Sequence, residues 1–98
     1  MARELLDKDD LARAVAELPG WSIATDGLSI GRTFEFRNFS EAFAFMTRSA
    51  LAAGKMAHHP GWSNVSKTVR VALSTRDKGG VTDLDIELAR RMNRYAGG

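Results

Sequence analysis

The sequence contains no cysteine, and this absence removes a wide range of chemistry. Disulfide bonds, thiolate metal sites and cysteine nucleophiles are all excluded. No apolar run approaches the roughly 20 residues that a membrane-spanning helix needs. Only two prolines and two histidines occur among the 98 residues, so the position of each is informative. A chain without cysteine fits a reducing compartment, and we expect a cytoplasmic protein that does not enter a membrane.

A large charge of either sign is also missing. Fourteen Lys and Arg residues oppose 12 Asp and Glu residues, which gives a formal net charge of +2. The one basic cluster, at Arg90, Arg91 and Arg94, we interpret as a solvated helix face rather than a nucleic-acid site. Residues 1–7 turn acidic too early for a signal peptide. The length predicts a single domain covering residues 1–98, of a size that oligomerisation often stabilises.

Hydrophobic periodicity predicts seven elements in the order helix, strand, strand, helix, strand, strand, helix. Asp7 or Asp9 is the expected cap of the first helix, Ser40 of the second and Thr82 of the third. The expected strands cover residues 21–24, 28–36, 62–65 and 68–75, and residues 77–80 form a loop. Arg32 interrupts the apolar face of the second strand. Paired hairpins predict an α+β fold in which three helices pack on one face of a four-stranded antiparallel sheet.

The second predicted helix, which runs to about Met56, has an apolar face wider than a single sheet can cover. Its apolar and small residues occupy about half of the circumference, at ~100° per residue. They are Ala42, Phe43, Phe45, Met46, Ser49, Ala50, Ala52, Ala53 and Met56. The excess width predicts a second partner, and another copy of the chain is our first candidate. The alternative is a core helix that is buried entirely within one chain.

Both histidines lie in one short segment, His58 and His59, followed directly by Pro60 and closely by Trp62. Histidine titrates near neutrality, so a histidine pair beside an aromatic ring indicates proton transfer on a flat ligand. Pro60 favours an extended conformation for His59, and neighbouring residues of extended chain point to opposite sides. The alternative is a helix end with two solvated histidines. We expect no metal site, because no spacing of ligand residues supports one.

A second polar segment, residues 74–77, follows the fourth predicted strand. The hydroxyls of Ser74 and Thr75, together with backbone groups, can hold the edge of a flat polar ring. The alternative is that these are ordinary residues of a strand end. Asp85, three residues after Thr82, can return a hydrogen bond to that helix cap.

These features together resemble the pterin-4a-carbinolamine dehydratase family. The matching residues occur in the family's order and spacing: Pro19, Gly20, Trp21, Phe34, Phe36, residues 43–48, His58, His59, Pro60, Trp62, Asn64, Val65, Val69, Val71, Leu73, Ser74, Thr75, Gly80, Asp85, Leu88 and Ala89. The resemblance implies the α+β fold described above. It also implies homodimers paired through sheet edges, and tetramers formed through the second helix.

The activity that the resemblance implies is dehydration of 4a-hydroxytetrahydropterin to quinonoid dihydropterin. This reaction recycles the cofactor of the aromatic amino-acid hydroxylases and uses no metal or organic cofactor. By resemblance, His59 is the leading general acid/base and His58 is its companion. Trp62 walls the pocket, and residues 74–77 hold the pyrimidine edge. The implied contacts with the pterin are Ala57, His58, His59, Pro60, Trp62, Ser74, Thr75, Arg76, Asp77 and Asp85.

The chain departs from the family pattern at three positions. Arg76 stands where the family usually has a third histidine, and arginine cannot serve as a base. Gly54 and Ala57 stand where the family often has acids. We therefore expect a reduced rate. The alternative is a catalytically weak or inactive family member that acts as a binding or assembly protein.

Overall fold

The chain folds into three α-helices and a four-stranded sheet in the order predicted from the sequence. The computed structural model describes residues 4–97. Residues 1–3, which belong to the segment interpreted as unlike a signal peptide, and the last residue of the predicted domain lie outside the described range. The elements are α1 (Lys8–Ala16), β1 (Ser22–Ile23), β2 (Ile30–Glu35), α2 (Phe39–Met56), β3 (Gly61–Val65), β4 (Thr68–Leu73), a 3₁₀ turn (Arg76–Lys78) and α3 (Asp83–Tyr95).

The sheet is antiparallel throughout, with the strand order β1-β2-β4-β3. Strand residues alternate between its two faces, as the period of two requires. The inner face carries the apolar residues and is covered by the three helices. The outer face is open, and Gly31 and Gly61 lie there on either side of Ala72. Because the inner face is apolar and the outer face is open, apolar and polar residues alternate along the strands, and this alternation predicts them from the sequence.

The core lies between the inner face of the sheet and the helices. Its central rings are those of Phe34 and Phe45, with centroids 4.5 Å apart, and Trp21 meets Phe34 edge to face at 6.0 Å. The other buried apolar residues are Leu11, Val15, Leu18, Ile30, Ala42, Ala52, Ala53, Val69, Val71, Leu73, Val81, Ile86, Leu88, Ala89 and Met92. Leu88 and Met92 of α3 are buried as predicted, whereas Leu84 and Tyr95 are only half-buried.

Arg32 interrupts the inner face of β2, as the sequence predicted, and its charge is accommodated there by polar and aromatic contacts. Its guanidinium lies 4.2 Å from the ring centroid of Phe34. It donates to Asn93 Oδ1 at 2.6 Å and to the Pro19 carbonyl at 3.1 Å. Trp21 Nε1 donates to the same Asn93 oxygen at 2.7 Å. Partial burial lowers the pKa of Arg32 from its usual value. The cluster therefore joins β2, α3 and the turn after α1.

The start of α2 differs from the prediction. The helix begins at Phe39 and its N-cap is Asn38, not Ser40. Asn38 is extended, and its side-chain oxygen accepts from the Glu41 amide at 2.9 Å. Glu41 in turn accepts from the Arg37 amide at 3.0 Å. Ser40 lies in the first turn, because the bonds that Glu41 makes with the Asn38 side chain and with the Arg37 amide fix the helix start two residues earlier.

Three of the four strands are shorter than predicted, and β2 covers Ile30–Glu35 rather than residues 28–36. The β3 strand instead begins one residue earlier than predicted, at Gly61. The β1 strand has only two residues, because the Trp21 amide bonds back to the Leu18 carbonyl at 3.1 Å and stays in the turn. The β4 strand ends at Leu73 rather than residue 75, since Thr75 instead forms an isolated bridge with Gly80. Part of the predicted 77–80 loop is a 3₁₀ turn. The caps at Asp7 and Thr82 are confirmed.

The wide apolar face of α2 is only partly covered. Five of the predicted residues are buried within the chain: Ala42, Phe45, Ser49, Ala52 and Ala53. Met46 and Met56 are half-buried against the core. Phe43 and Ala50 are exposed, together with two further apolar side chains. We define the α2 outer surface as Phe39, Phe43, Ala50 and Leu51, of which Leu51 is 68% exposed. Within residues 4–97, no helix combines the length and the apolar character needed to cross a membrane.

Candidate active site

A pocket of about 420 Å³ opens where the end of α2, the start of β3 and the end of β4 meet. We call it the histidine pocket. Its volume is within the range typical of small-molecule sites. The lining residues are Ala57, His58, His59, Pro60, Gly61, Ala72, Ser74, Arg76 and Asp77. A larger groove of about 660 Å³ lies between α2 and α3, but neither histidine lines it.

The end of α2 sets the positions of the two histidines. Ala57 adopts the left-handed conformation, with φ of 52°, and its amide bonds to the Gly54 carbonyl at 3.1 Å. The His58 amide reaches back to the Ala53 carbonyl at 3.0 Å. These two hydrogen bonds satisfy carbonyls at the end of α2, and the chain turns sharply there. As a result, His58 enters the interior while His59 remains exposed at the pocket rim.

His58 is fixed by a fully buried carboxylate. Its side chain is 8% exposed, and Nε2 is hydrogen-bonded to Oδ1 of Asp85, which is 0% exposed. A carboxylate only accepts hydrogen bonds, so the proton of this bond lies on Nε2. The other ring nitrogen, Nδ1, is then the one left for a ligand. The contact thus assigns a tautomer and an orientation to one of the two imidazoles.

Asp85 is itself held by two donors. Its Oδ2 accepts from Thr75 Oγ1 at 2.9 Å and from the Thr82 amide at 2.9 Å. The hydroxyls of Thr75 and Thr82 are 2.7 Å apart. Because Thr75 has one proton and gives it to Asp85, Thr82 is the donor between the two hydroxyls. Three donors therefore converge on the buried carboxylate, as a buried charge requires.

The opposite wall of the pocket is polar and unpaired. Ser74 and the 3₁₀ turn supply it, with Arg76 and Asp77 both exposed. Across residues 4–97, neither the Arg76 guanidinium nor the His59 ring has a hydrogen-bond or ion-pair partner. The pocket therefore offers one oriented imidazole, one free imidazole, one cation and one carboxylate to a ligand.

The structure brings most of the predicted site residues together, and places three of them behind the pocket. Thr75 is 5% exposed and Asp85 is fully buried, so both reach the site through His58. Trp62 pairs with Val71 on the inner face of the sheet and packs against the core. None of these three lines the pocket.

Two lining residues, Gly61 and Ala72, were not predicted from the sequence, because they carry no functional group. They are cross-strand neighbours on the outer face. The alternation of β4, which places Ala72 on the same face as Ser74, is the signal that could have found Ala72. Of the two positions that lack an acid, Ala57 lines the pocket and Gly54 does not.

No metal site was found in the part of the chain that the structure describes. Within residues 4–97, no group of three His, Cys, Asp or Glu side chains is arranged to hold an ion.

The fold and the pocket define a class of protein, a small α+β sandwich with two imidazoles at the open edge of its sheet. The family model described as pterin 4 alpha carbinolamine dehydratase matches residues 4–95, and the chain belongs to this family.

Relatives of similar length support the same assignment. A provisionally named pterin-4-alpha-carbinolamine dehydratase of Mesorhizobium japonicum is 68% identical over 98 residues and covers 100% of both chains. Another from Chelativorans sp. (strain BNC1) is 53% identical over 96 residues, which is 98% of each chain.

Solved structures share the fold. A transcriptional coactivator/pterin dehydratase from Brucella melitensis has a TM-score of 0.94 and 42% identity, over 96% of this chain and 100% of that one. A pterin dehydratase-like RuBisCO assembly factor of the alpha-carboxysome has a TM-score of 0.69 and 19% identity, over 81% of this chain and 92% of that one. At that identity the second likeness concerns the fold alone.

Proposed function

We propose that the chain dehydrates 4a-hydroxytetrahydropterin to quinonoid dihydropterin and so recycles the cofactor of aromatic amino-acid hydroxylases. The observation that carries this proposal is the pair of unlike imidazoles in one pocket. His58 is oriented by Asp85, and His59 is free at the rim. Family membership supplies the substrate class.

The reaction needs an acid and a base on one ring. The C4a–O bond breaks and the hydroxyl leaves as water, which requires a proton at the departing oxygen. A ring N–H loses a proton, so the elements of water are removed in total. Each well-placed acid or base typically contributes about 10²–10⁴ in rate.

The environments of the two histidines fit different tasks. His59 is exposed and unpaired in the described chain, so it can deliver a proton to the leaving hydroxyl and recover one from solvent. His58 presents Nδ1 toward the ligand while Nε2 is bonded to Asp85. On accepting the ring proton at Nδ1, His58 becomes an imidazolium that the adjacent carboxylate stabilises.

The remaining lining residues hold the pterin. Ser74 and Asp77 offer a hydroxyl and a carboxylate to the amino and N–H groups of the pyrimidine edge, and Ala57 and Pro60 bound the ring from the histidine side. Thr75, Asp85 and Trp62 support the lining residues from the interior.

We also propose that the protein works as a homodimer or homotetramer. The α2 outer surface places Phe39 and Phe43, with ring centroids 5.8 Å apart, in solvent. Contiguous exposed apolar residues of this kind mark an interaction site. A second copy presenting the same surface would bury them. The β3 strand, at the sheet edge, is a further surface for pairing.

The test is an assay of the decay of 4a-hydroxytetrahydropterin with increasing amounts of the protein. The proposal predicts a decay rate that rises in proportion to protein concentration. A rate that equals the uncatalysed one at every concentration would reject the dehydratase activity.

A second candidate function is a non-catalytic binding or assembly role on the same scaffold. The observation that favours it is Arg76, which lines the pocket and cannot serve as a general base. The Arg76→His variant separates the two candidates in the same assay. A wild type without acceleration, together with an Arg76→His variant that raises the decay rate tenfold or more above the uncatalysed rate, favours the second candidate. An active wild type whose rate changes little in the variant favours the dehydratase.

A further inference from the structure

We propose that Arg76 makes the histidine pocket selective for pterins whose ring substituent carries an anionic group. This inference rests on the proposed function, because it assumes that a pterin occupies the pocket. It concerns which member of that substrate class the chain prefers.

The backbone under Arg76 is anchored from the interior. The Thr75 amide donates to the Gly80 carbonyl at 2.7 Å, and the Thr75 carbonyl accepts from the Lys78 and Gly79 amides at 3.0 Å each. The Thr75 side chain is tied to Asp85 and Thr82. Arg76 follows this anchored residue directly, so the base of its side chain has a defined position on the pocket wall.

The charge of Arg76 is not used within the described chain. Asp77 is adjacent and lines the same pocket, yet the two residues form no ion pair with one another. Other arginines do find partners, as Arg37 does in Glu41 and Arg91 does in Glu87. The planar guanidinium carries five donors in a fork that matches a carboxylate or phosphate.

The other polar groups of the pocket match the pterin ring, so the Arg76 guanidinium is available to the ring substituent. The amino and N–H groups of a pyrimidine edge need acceptors, which Asp77 can supply and Arg76 cannot. The C4 oxygen of the ring is a neutral acceptor, so an anionic substituent is the group that matches the charge of Arg76. The two imidazoles are assigned to the reacting part of the ring. Among the lining residues, Arg76 is the fixed cation and Asp77 the fixed anion, while the Asp85 carboxylate is buried behind His58.

The neighbouring sheet surface has room for a substituent. Gly61 and Ala72, which lie opposite each other on the outer face, form part of the pocket lining. Gly31 continues this row of small residues on the next strand. No long side chain from these three positions covers the sheet beside Arg76, so a substituent can lie there within reach of the guanidinium.

The experiment compares the binding of two oxidised pterins by fluorescence titration, which needs no turnover. Pterin-6-carboxylate carries the anion and 6-hydroxymethylpterin is its neutral counterpart. We expect the wild type to bind the carboxylate about tenfold more tightly, since charge-assisted hydrogen bonds are stronger than neutral ones. We expect Arg76→Gln to remove this preference by weakening only the carboxylate, and added salt to reduce it.

Arg94→Gln is the matched control. Arg94 is an exposed arginine near the end of α3, away from the outer face of the sheet, and it does not line the histidine pocket. It should leave both affinities within about twofold, because a charge beyond the pocket is screened by solvent and salt.

Three outcomes would overturn the inference. Equal affinities of the wild type for the two pterins would show that the pocket does not distinguish the anionic substituent from the neutral one. An equal loss of affinity for both pterins in Arg76→Gln would show that Arg76 contacts the ring that the two pterins share. Binding of neither pterin would reject the proposed function together with the inference, whereas the first two outcomes leave the proposed function standing.

Discussion

His58 and His59 are neighbours in the chain, yet their environments differ as much as those of two distant residues. His58 is bonded to a fully buried carboxylate, and His59 lies exposed at the rim. The sequence revealed the pair, because no other histidines exist. It could not reveal the bond to Asp85, which lies 27 residues away and depends on how α3 packs. Asp85 was expected to return a bond to Thr82 and, by resemblance, to contact the pterin. Its Oδ2 returns that bond while Oδ1 meets His58, and the side chain lies behind the pocket.

Replacing Asp85 with asparagine is predicted to reverse the tautomer of His58. The Thr82 amide and the Thr75 hydroxyl are donors, so the asparagine oxygen must face them and its NH₂ group must face Nε2 of His58. Nε2 then becomes an acceptor and the proton moves to Nδ1, which can no longer act as a base. We expect the catalysed dehydration rate to fall by about 10² or more. Steady-state kinetics should show the loss in kcat rather than in KM.

Thr75 supplies a matched pair of controls for the Asp85 prediction. Thr75→Ser keeps the hydroxyl that donates to Asp85 and should retain most of the rate. Thr75→Val has a similar shape without the donor and should lose rate. Equal rates for the two variants would contradict the proposal that the Thr75 hydroxyl positions Asp85.

At the scale of the elements, the helices and strands follow from periodicity, but their ends depend on competing local bonds. Ser40 and Asn38 are both good N-cap residues, and the sequence does not distinguish them. The structure selects Asn38 because Glu41 is then placed to accept from the Arg37 amide. The left-handed Ala57 was equally unpredictable, since a glycine is the usual residue at such a helix end.

Ala57→Gly is predicted to stabilise the fold. The left-handed conformation costs an L-residue about 1–2 kcal/mol, and glycine loses roughly 0.5–1 kcal/mol more chain entropy than alanine on folding. We expect the free energy of unfolding in urea to rise by about 0.5–1 kcal/mol. The control is Ala50→Gly at an exposed position inside α2, which should lower it by about 1 kcal/mol. A loss of stability in both variants would contradict the account of the helix end.

The ion pairs on α3 should give a small pH dependence of stability. Hydrogen bonding from Arg91 is the main cause that lowers the pKa of Glu87, burial opposes it, and the bond from Arg90 adds to it. A lowered pKa means that this stabilisation is present above the ordinary value and is lost as the pH falls through the lowered one. Because the side chain is 38% exposed, we expect less than about 1 kcal/mol. Urea unfolding of the wild type and Glu87→Gln at pH 7 and pH 3 should show a difference only at pH 7.

At the scale of the whole molecule, the hairpins were predictable and the strand order was not. The β3–β4 pair follows from a short turn, whereas the pairing of β2 with β4 spans the whole of α2. Such a pairing is decided by the packing of the core, in which Phe34 of β2 faces Val69 of β4. The extent of the domain, residues 1–98, stays a prediction.

The width of the apolar face of α2 leads to a prediction about assembly. Leu51→Glu places a charge on the α2 outer surface and should lower the mass measured by light scattering, because a charge is costly to bury against a second copy. Leu28→Glu is the control, since Leu28 is 53% exposed in the β1–β2 turn and lies off α2. An unchanged mass in Leu51→Glu would remove the α2 outer surface from the proposed interface.

The most direct measurement of the central claim is the dehydration rate of 4a-hydroxytetrahydropterin with the wild type and with His59→Ala. The exposed position of His59 means that its loss should leave the fold intact, which a thermal melt can verify. We predict acceleration by the wild type and a loss of about 10²–10⁴ in the catalysed rate of the variant. A wild type that gives no acceleration, or a His59→Ala variant as fast as the wild type, would contradict the account.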